Sequence, residues 1–391
     1  MQPTRGWYAP ARSALPRDGR HAARRTTRPD TGARTSVGLR LCCLLVSFIQ
    51  VLCVGTSAAD SVPTSTSQAS EADNPPVGGP FPVRSLSPLM PFYFQFAPER
   101  AIPVSRGAWK VRFDLVEANY LARDVHDSDS FLFDYELTHA NLALQYGALD
   151  HLAIGLEIPL LYTWKGFLDE PIKGFEDATG FERTIRFERP QHLFSYELNK
   201  DGERALRGTS GALGIGDIAM TVKALWQEED GLIPAVAGRF ALKLPTGQRD
   251  RALGSGEVDV ALGLALEKTF GPVRLYFNTG LTIPTGEPFA GTGIDSLPIL
   301  SGFLTGEYHL TRHFSLLLQL SGMSPPVRNT DLDIGNPVFE ILAGFNWVLP
   351  GLPVVWQAGF MEDLNNTNRT ADFALFMSWT MFFGRRASTA R

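Results

Sequence analysis

The sequence predicts an all-β fold: a transmembrane, antiparallel, up-and-down β-barrel of about twelve strands, with long loops on the outer side and short periplasmic turns. Two observations predict it. Between residues 109 and 383, stretches of roughly 10–15 residues alternate apolar and small polar side chains. The gaps between these stretches are alternately short and long. The short gaps lie near 147–150, 227–231, 270–272, 310–313 and 349–353, and the long gaps near 123–129, 165–214, 245–255, 285–297, 324–335 and 362–371.

Within each stretch, apolar side chains recur at every second residue, as expected when one strand face meets lipid and the other meets the lumen. A soluble sandwich also alternates, but its turns would not segregate by length. Between Phe131 and Tyr146 the apolar parity changes, which predicts a β-bulge near 138–141. Aromatic residues concentrate near the predicted strand ends, where a membrane barrel places its interfacial girdles.

The N-terminus has the layout of a secretory signal peptide. An apolar run at 41–55 follows Arg34 and Arg40 and precedes small residues. We therefore assign 1–59 to a signal peptide with an over-long basic lead, cleaved near Ala59. The alternative is a single N-terminal membrane anchor, for which the run is short. A translation start assigned too far upstream would explain the long lead. Export by this route predicts a location in the bacterial outer membrane.

Charge and cysteine content exclude several classes of function. Residues 1–59 carry nine Arg and two Asp, so the net charge of −5 for the whole chain becomes −12 for the remainder. Such an acidic chain is not expected to bind nucleic acid. Cys42, Cys43 and Cys53 all lie in the predicted signal, which excludes disulfides and cysteine-based chemistry in the exported chain. No cofactor is predicted.

Composition divides the exported chain into four parts. Residues 60–78 are rich in Ser, Thr and Pro and are typical of a disordered linker. Residues 79–105 are apolar and Pro-rich, which excludes a regular central strand. We expect this segment to lie in the periplasm under the barrel or inside the lumen as a plug. The barrel is assigned to 106–384 and a C-terminal tail to 385–391.

Short motifs recur where strands meet the long loops. Two strands end in LPTG (244–247) and IPTG (283–286), and others begin with GIGDI (214–218), GSGEV (254–258) or GTGID (291–295). Gly-x-Gly loops bind phosphate when a helix N-terminus follows them, but a strand pattern follows here. We interpret them as rim turns in which Pro ends strand pairing and Gly permits the bend. The rim-turn residues are Pro245, Gly247, Gly254, Gly256, Pro284 and Gly286.

Charged residues that share the parity of the polar face are candidates to line a pore. They are Asp114, Glu157, Lys223, Arg239, Lys243, Asp259, Glu267, Arg274, Glu307 and Glu340. Pairing across tight turns should bring Glu267 near Arg274, with Glu307 at similar height, while Lys243 and Asp259 should meet near the outer rim. Such charges either form a closed, ion-paired interior or line a lumen that selects solutes by charge. A twelve-stranded interior lies between the filled eight-stranded and the open sixteen-stranded cases.

The longest predicted loop, 165–214, contains several aromatic residues among charges. They are Phe167, Phe175, Phe181 and Phe187. This favours an ordered loop over the barrel mouth, with a short helix near 170–178.

The chain resembles a known family in its N-terminal motif and its glycine rims. The segment GPFPVR at 79–84 with SPL at 87–89, followed by the strand pattern with GIGDI at 214–218, resembles a proteobacterial family catalogued as domain of unknown function 3187. The resemblance covers about 79–383 and implies a signal-bearing outer-membrane barrel with no assigned activity. Such barrels commonly end in an aromatic residue that the barrel-assembly machinery reads; here Phe383 is followed by GRRASTAR. The implied partners are outer-membrane lipid and that machinery, with a small solute as a further candidate.

Three hypotheses of function remain open at this point. The first is a narrow channel or small-solute transport protein, and the second is a closed barrel with a structural or surface-interaction role through its long loops. The third is a membrane-embedded acyl hydrolase using His139, although no serine lies at the expected spacing. His139 is otherwise interpreted as a bulge residue with a satisfied hydrogen bond. Asp331 and Asp333 are weak candidates for calcium ligands. The chain is therefore not predicted to be an enzyme.

Overall fold

The computed structural model describes residues 78–179, 190, 192–364 and 369–384. The predicted signal peptide at 1–59, nearly all of the linker at 60–78 and the tail at 385–391 lie outside the described residues. So do Phe181 and Phe187 of the longest loop. No helix among the described residues is long and apolar enough to cross a membrane.

The described chain is built almost entirely of β-strands. In chain order they are β1 (Trp109–His126), β2 (Asp129–Leu149), β3 (Leu152–Trp164), β4 (Ser195–Lys200), β5 (Glu203–Arg207), β6 (Ala212–Ile215), β7 (Ala219–Gln227), β8 (Ala235–Lys243), β9 (Asp259–Phe270), β10 (Val273–Pro284), β11 (Asp295–Ser296), β12 (Ile299–His309), β13 (Phe314–Met323), β14 (Val327–Arg328), β15 (Val338–Val348), β16 (Val354–Asp363) and β17 (Phe373–Phe383). One α-helix, α1 (Asp169–Thr179), follows β3. Short 3-10 turns occur at Met90–Phe92, Arg249–Arg251 and Asp333–Gly335.

Twelve of these strands form a closed antiparallel barrel, which confirms the predicted fold class. Their order around the wall is β1, β2, β3, β7, β8, β9, β10, β12, β13, β15, β16 and β17. The last strand pairs with the first over eleven residues, from Trp109↔Phe383 to Asn119↔Phe373, and so closes the cylinder. Closure removes the exposed edges that an open sheet would present. We take the end with the short turns as periplasmic and the other as outer.

The remaining strands lie at the outer end. The β4–β5 hairpin pairs with the upper part of β2, from Ser130↔Asn199 to Asp134↔Ser195. The short β6 pairs with β3 above the point where β7 takes over. A two-residue ribbon joins β11 to β14 between two outer loops. The predicted helix near 170–178 is present as α1.

The two faces of the wall differ in polarity, as the period-two pattern predicts. Large apolar side chains are exposed on the outside, including Met220, Leu262, Leu304 and Leu375. An outward apolar band is what the hydrocarbon region of a bilayer requires. Aromatic residues cluster at the periplasmic ends of the strands. Trp109 lies opposite both Phe383 and Tyr146, and Trp347 lies opposite Trp356.

The structure corrects two details of the β1–β2 region. The gap predicted at 123–129 is a turn of only Asp127 and Ser128, because both strands extend well beyond the length needed to span a membrane. The predicted β-bulge near 138–141 is wrong, since β1 and β2 pair without a register shift over their whole length. The apolar parity changes because Phe131, Phe133, Tyr135 and Leu137 face inward into a buried cluster. Farther down β2, the apolar side chains face outward instead.

Residues 78–105, which we call the plug, run through the lumen. Near the periplasmic end, the Gly79 carbonyl accepts hydrogen bonds from Asn346 and Gln357. The segment rises to the outer end, where the Leu86 carbonyl accepts from the Ala371 N–H. It then descends to Ser105, whose carbonyl accepts from the Ala108 N–H just before β1 begins. The plug therefore enters and leaves the lumen at the same end.

Candidate functional site

The candidate site is the interface between the plug and the inner wall of the barrel. Prolines at 80, 82, 88, 91, 98 and 103 remove six N–H donors that the lumen would otherwise have to satisfy. Several remaining N–H groups donate to wall side chains: Phe81 to Gln319, Leu86 to Glu340, Phe94 to Asp259 and Glu99 to Asn278. The main-chain hydrogen-bonding groups of a segment without regular secondary structure are thus satisfied inside the barrel by polar side chains of the strands.

Small wall residues make room for the aromatic side chains of the plug. Phe94 and Phe96 pack against Ala219, Ala241 and Ala261. A methyl group added at Gly263 or Gly280 would lie 3.0 or 2.9 Å from the Phe96 ring. The Arg239 guanidinium lies over the same ring, 4.3 Å from its centroid. The alanines and glycines on the polar face of the sequence pattern therefore reflect packing against the plug.

Glu99 of the plug is the centre of a buried ionic cluster. Its carboxylate lies 2.8 Å from the Lys223 Nζ, 3.0 Å from an Arg239 guanidinium nitrogen and 3.6 Å from the Lys110 Nζ, and it accepts from the Gln145 amide. Burial alone would raise the pKa of Glu99, but Lys223, Arg239 and Lys110 together hold the pKa well below its ordinary value. Glu99 is therefore ionised, and it cancels part of the positive charge of the wall.

A second ionic contact fixes the plug nearer the periplasm. The Arg100 guanidinium donates from Nε and one terminal nitrogen to the carboxylate of Glu267, with the shortest distance 2.6 Å. The predicted partner Arg274 lies 3.7 Å from the same carboxylate. Glu307 is directly opposite Arg274 in the register and accepts from Tyr276, Ser315 and Asn346. The expected Glu267–Arg274 neighbourhood is present, but the strongest contact of Glu267 is to the plug.

The middle and outer parts of the plug are held in the same way. Arg84 forms an ion pair with Glu157. The Glu340 carboxylate accepts from the Leu86 N–H and from Thr370 and Ser321 hydroxyls. Asp114 is the exception, because its carboxylate binds Arg112, Asn141 and Ser378 of the wall.

Lys243 and Asp259 meet at the outer rim, 3.0 Å apart. The Lys243 ammonium also donates to the Phe92 carbonyl of the plug and lies 3.1 Å from Asp217. Asp217 accepts from the Gly247 N–H and from the Ser255 N–H and hydroxyl. It thereby ties the outer loop 245–255 to the rim.

The rim-turn residues take the positions that their motifs indicate. Pro284 is the last residue of β10, Pro245 follows the end of β8, and Gly286 lies against the Glu257 side chain. Gly256 has a φ of +71°, which favours glycine. Gly247 and Gly254 pack backbone to backbone, so that a methyl group on either would lie 2.7 Å from the other's Cα.

The outer mouth is closed by apolar packing. Leu89, Met90 and Phe92 at the plug apex belong to one buried cluster with the inward side chains of β2 and with Tyr196 and Leu198 of the β4–β5 hairpin. The Tyr196 hydroxyl donates to the Pro88 carbonyl at 2.6 Å. The longest loop thus contributes its hairpin to the mouth, as expected. The helix of that loop is attached elsewhere: Asp169 of α1 accepts a hydrogen bond from the Asn119 side chain of β1.

The periplasmic end is less densely filled. A cavity of about 280 Å³ lies between the two legs of the plug and the wall. Its charged lining residues are Glu99, Arg100, Lys110 and Arg112, and its apolar lining includes Ile102, Val355 and Phe382. A smaller cavity of about 80 Å³ lies higher in the lumen, beside Arg84 and His139.

His139 lines the lumen, whereas the hydrolase hypothesis requires a lipid-facing histidine. Its buried Nε2 has no hydrogen-bond partner among the described residues, so the expected satisfied hydrogen bond is wrong for that atom. In the part of the chain that the structure describes, no group of three or more His, Cys, Asp or Glu side chains could hold a metal ion. Asp331 and Asp333 belong to no such group.

Nine of the ten predicted pore-lining candidates are buried on the inner face, and Arg274 is half-buried beside them. Sequence reasoning missed Lys110 and Arg112, although both share the parity of Asp114 on β1. It also missed Glu99, Arg100 and Arg84, because an irregular segment has no periodicity from which a facing can be derived. Asp217 stood in a recognised motif but was interpreted only as part of a turn.

Comparison with known proteins identifies the family of the chain. A family model described as protein of unknown function (DUF3187) matches residues 60–383. The chain belongs to this family. A search of curated proteins finds no match.

Solved structures give more distant likenesses. An outer membrane channel from Pseudomonas putida F1 is 16% identical, with a TM-score of 0.49, covering 74% of this chain and 100% of that one. The NanC porin is 7% identical, with a TM-score of 0.41, covering 71% and 100%. The Pseudomonas putida toluene transporter TodX is 9% identical, with a TM-score of 0.32, covering 77% and 97%. At these identities and TM-scores, the likenesses do not indicate a function for the DUF3187 chain.

Proposed function

We propose that this protein is an outer-membrane channel for small solutes whose lumen is closed at rest by its own plug. The observation that supports this most is the polarity of the contact below the apex. The wall holds the N-terminal leg through polar groups: Glu157 pairs with Arg84, Gln319 accepts from the Phe81 N–H, and Asn346 and Gln357 donate to the Gly79 carbonyl. Water and solute can replace such partners when this leg moves, and the path that opens is lined by both charges, including Glu157, Lys223 and Arg239.

The way the plug is attached restricts how it opens. Its C-terminal leg continues directly into β1, so that leg stays with the wall. Its N-terminal leg begins at Gly78 beside Asn346 and passes Gln319 before the apex. Withdrawal of this leg toward the periplasm opens a path without breaking any pairing between wall strands.

We also propose where the protein is located and how it is inserted there. We infer export through the signal peptide at 1–59, with cleavage near Ala59, followed by insertion by the barrel-assembly machinery. The lipid that solvates the outer face is that of the outer membrane. Detection of the protein in outer-membrane fractions, with Asp60 as its first residue, is the expected result.

A disulfide that retains the N-terminal leg tests the channel function. A Cβ built on Gly78 lies 2.9 Å from the Asn346 Cγ, one bond from the Asn346 Cβ, so cysteines at these positions fall within disulfide reach. The exported chain has no other cysteine. In planar bilayers the reduced Gly78→Cys/Asn346→Cys protein should conduct and the oxidised protein should fall to background.

The matched control is Asn346→Cys alone, which should conduct equally under both redox conditions. Equal conductance of the double variant in both states would contradict plug withdrawal. Background conductance of the unmodified protein under all conditions would contradict a channel. That last result would favour a closed barrel acting through its outer surface, which the apolar packing around Tyr196 also permits.

A further inference from the structure

Two cations on β1 face the periplasmic cavity with their hydrogen-bonding capacity largely unused. Arg112 is 6% exposed, and its Nε donates to both oxygens of Asp114 at 2.9 Å. Within the described residues, its two terminal nitrogens make no hydrogen bond, and the side chain lines the cavity. Among the same described residues, the Lys110 Nζ has only the Glu99 carboxylate near it, at 3.6 Å, beyond hydrogen-bond distance.

The charge around the cavity is unbalanced toward positive. Of its four charged lining residues, Arg100, Lys110 and Arg112 are cationic and only Glu99 is anionic. Arg100 is neutralised by Glu267. The single carboxylate of Glu99 is already engaged by Lys223 and Arg239 outside this set. Arg112 is neutralised by Asp114. Lys110 is left without a counter-charge of its own, because it shares Glu99 with Lys223 and Arg239, and this is costly in a buried site unless an anion is bound.

The geometry suits one small anionic group. Lys110 and Arg112 are two residues apart on the same strand face, which separates their Cα atoms by about 7 Å. Thr380 lies directly opposite Arg112 in the β1–β17 register, and its side chain also lines the cavity. An ammonium, a planar guanidinium and a hydroxyl together supply the donors that a carboxylate accepts.

Apart from Ser105 and Gln357, the remaining lining consists of apolar residues and glycine. Ile102, Pro103 and Val104 of the plug face Val355 and Phe382 of the wall across it. A ligand that satisfies both parts of the lining carries its charge at one end and an apolar body at the other. Inorganic anions satisfy only the first part.

We propose that this cavity is a binding site for a small organic carboxylate with an apolar body, held by Lys110, Arg112 and Thr380. The inference deepens the proposed channel function and rests on it for its role, because it names the class of solute that enters from this end. Lys110 and Arg112 bind the carboxylate, and the plug residues at 102–104 form the apolar side of the site.

Isothermal titration of the full exported protein in non-ionic detergent with benzoate tests the site. Benzoate should bind. Benzamide has the same shape without the charge, and it should bind at least tenfold more weakly, on the order expected for loss of a charge-assisted contact. Inorganic phosphate should also bind at least tenfold more weakly. Lys110→Gln should weaken benzoate binding by a similar factor. Lys268→Gln makes the same charge change at the periplasmic end, outside the cavity lining, and should leave binding unchanged.

A second variant guards against a folding defect. Arg112→Gln/Asp114→Asn removes the cation together with the carboxylate that it neutralises, so no unpaired charge remains, and it should also lose benzoate binding. Benzoate binding that survives in both cavity variants overturns the site, as does the absence of any binding to the unmodified protein. Equal binding of benzoate and phosphate overturns the apolar part.

The outcome separates the two proposals. Benzoate binding without any bilayer conductance would support the binding site and contradict the channel. If the reduced Gly78→Cys/Asn346→Cys protein conducts but benzoate does not bind, the result would support the channel and contradict the binding site.

Discussion

The Lys223 ammonium lies 2.8 Å from the Glu99 carboxylate and joins the inner face of β7 to a segment 124 residues earlier in the chain. Both side chains are buried, and Arg239 reaches the same carboxylate from the next strand. Three charges taken out of water are stable together only because each faces an opposite charge. This contact therefore couples the position of the plug to the stability of the barrel.

Replacing Glu99 by Gln should destabilise the folded protein by about 3–5 kcal/mol, because it leaves Lys223 and Arg239 buried without their counter-charge. The measurement is the free energy of unfolding in guanidinium, with the protein in phospholipid vesicles. Glu203→Gln, at an exposed position in the β4–β5 hairpin, should change it by less than about 0.5 kcal/mol. Equal effects of the two substitutions would contradict the ionic role of Glu99.

Glu99 should also give the stability a dependence on pH. Its pKa in the folded protein lies well below the ordinary value of about 4.3, which we take for the unfolded chain. Its contribution is then fully present above that value and is lost as the pH falls toward the folded-state pKa. Below about pH 4.3, the unmodified protein should lose stability more steeply than Glu99→Gln. Parallel curves for the two proteins would exclude this assignment.

The wall could be predicted from sequence because its constraints are local. Strand facing has a period of two, so Leu262 and Asp259 are assigned to opposite faces by position alone. The same rule should have included Lys110 and Arg112, which share the parity of Asp114. Both residues lie inside the first predicted stretch, which begins at residue 109, so the period of two applies to them as well.

The plug contacts could not be predicted, because they join residues with no common pattern. Phe81 meets Gln319 across 238 residues of chain, and nothing local to either position indicates the other. The parity of β2 was misread for a related reason. Phe133 and Tyr135 face inward because Tyr196 of a later hairpin covers them, whereas a strand considered alone suggests a bulge.

Gly280 should tolerate no larger side chain, because the Phe96 ring of the plug packs directly against it. A Cβ at this position would lie 2.9 Å from the Phe96 ring, and a branched side chain would extend into it. Gly280→Val should therefore displace the plug and destabilise the protein by roughly 1–3 kcal/mol. Proteolysis within 93–100 should become faster. Gly302→Val, on the neighbouring strand with open space around its Cβ, is the control; an equally large effect there would refute the argument from plug packing.

Asp217 should control the order of the outer loop. Its carboxylate accepts three hydrogen bonds from Gly247 and Ser255, which Asp217→Ala removes together. Trypsin added to intact cells should then cleave after Arg249 and Arg251 faster than in the unmodified protein. Asp250→Ala lies on the same loop without these contacts and should not accelerate cleavage. If neither variant is cleaved faster, the carboxylate does not hold the loop.

Leu304 should be in contact with lipid near the middle of the bilayer. It is 51% exposed on the outside of β12, midway along an eleven-residue strand, and its cross-strand neighbours Phe277 and Leu320 are exposed as well. An arginine there would have to enter the hydrocarbon region, since no inward rotamer reaches the lumen through the wall. Leu304→Arg should therefore cost about 2–4 kcal/mol of unfolding free energy in vesicles.

The depth dependence of this cost distinguishes a lipid-facing surface from an ordinary apolar surface. Leu213 is similarly exposed but lies on β6, nearer the outer rim, where Leu213→Arg should cost no more than about 1 kcal/mol. A soluble barrel would accept arginine equally well at both positions, since both would face water. Equal and small losses of unfolding free energy for Leu304→Arg and Leu213→Arg would therefore contradict a lipid-facing surface. They would also contradict the membrane channel that the plug is proposed to close.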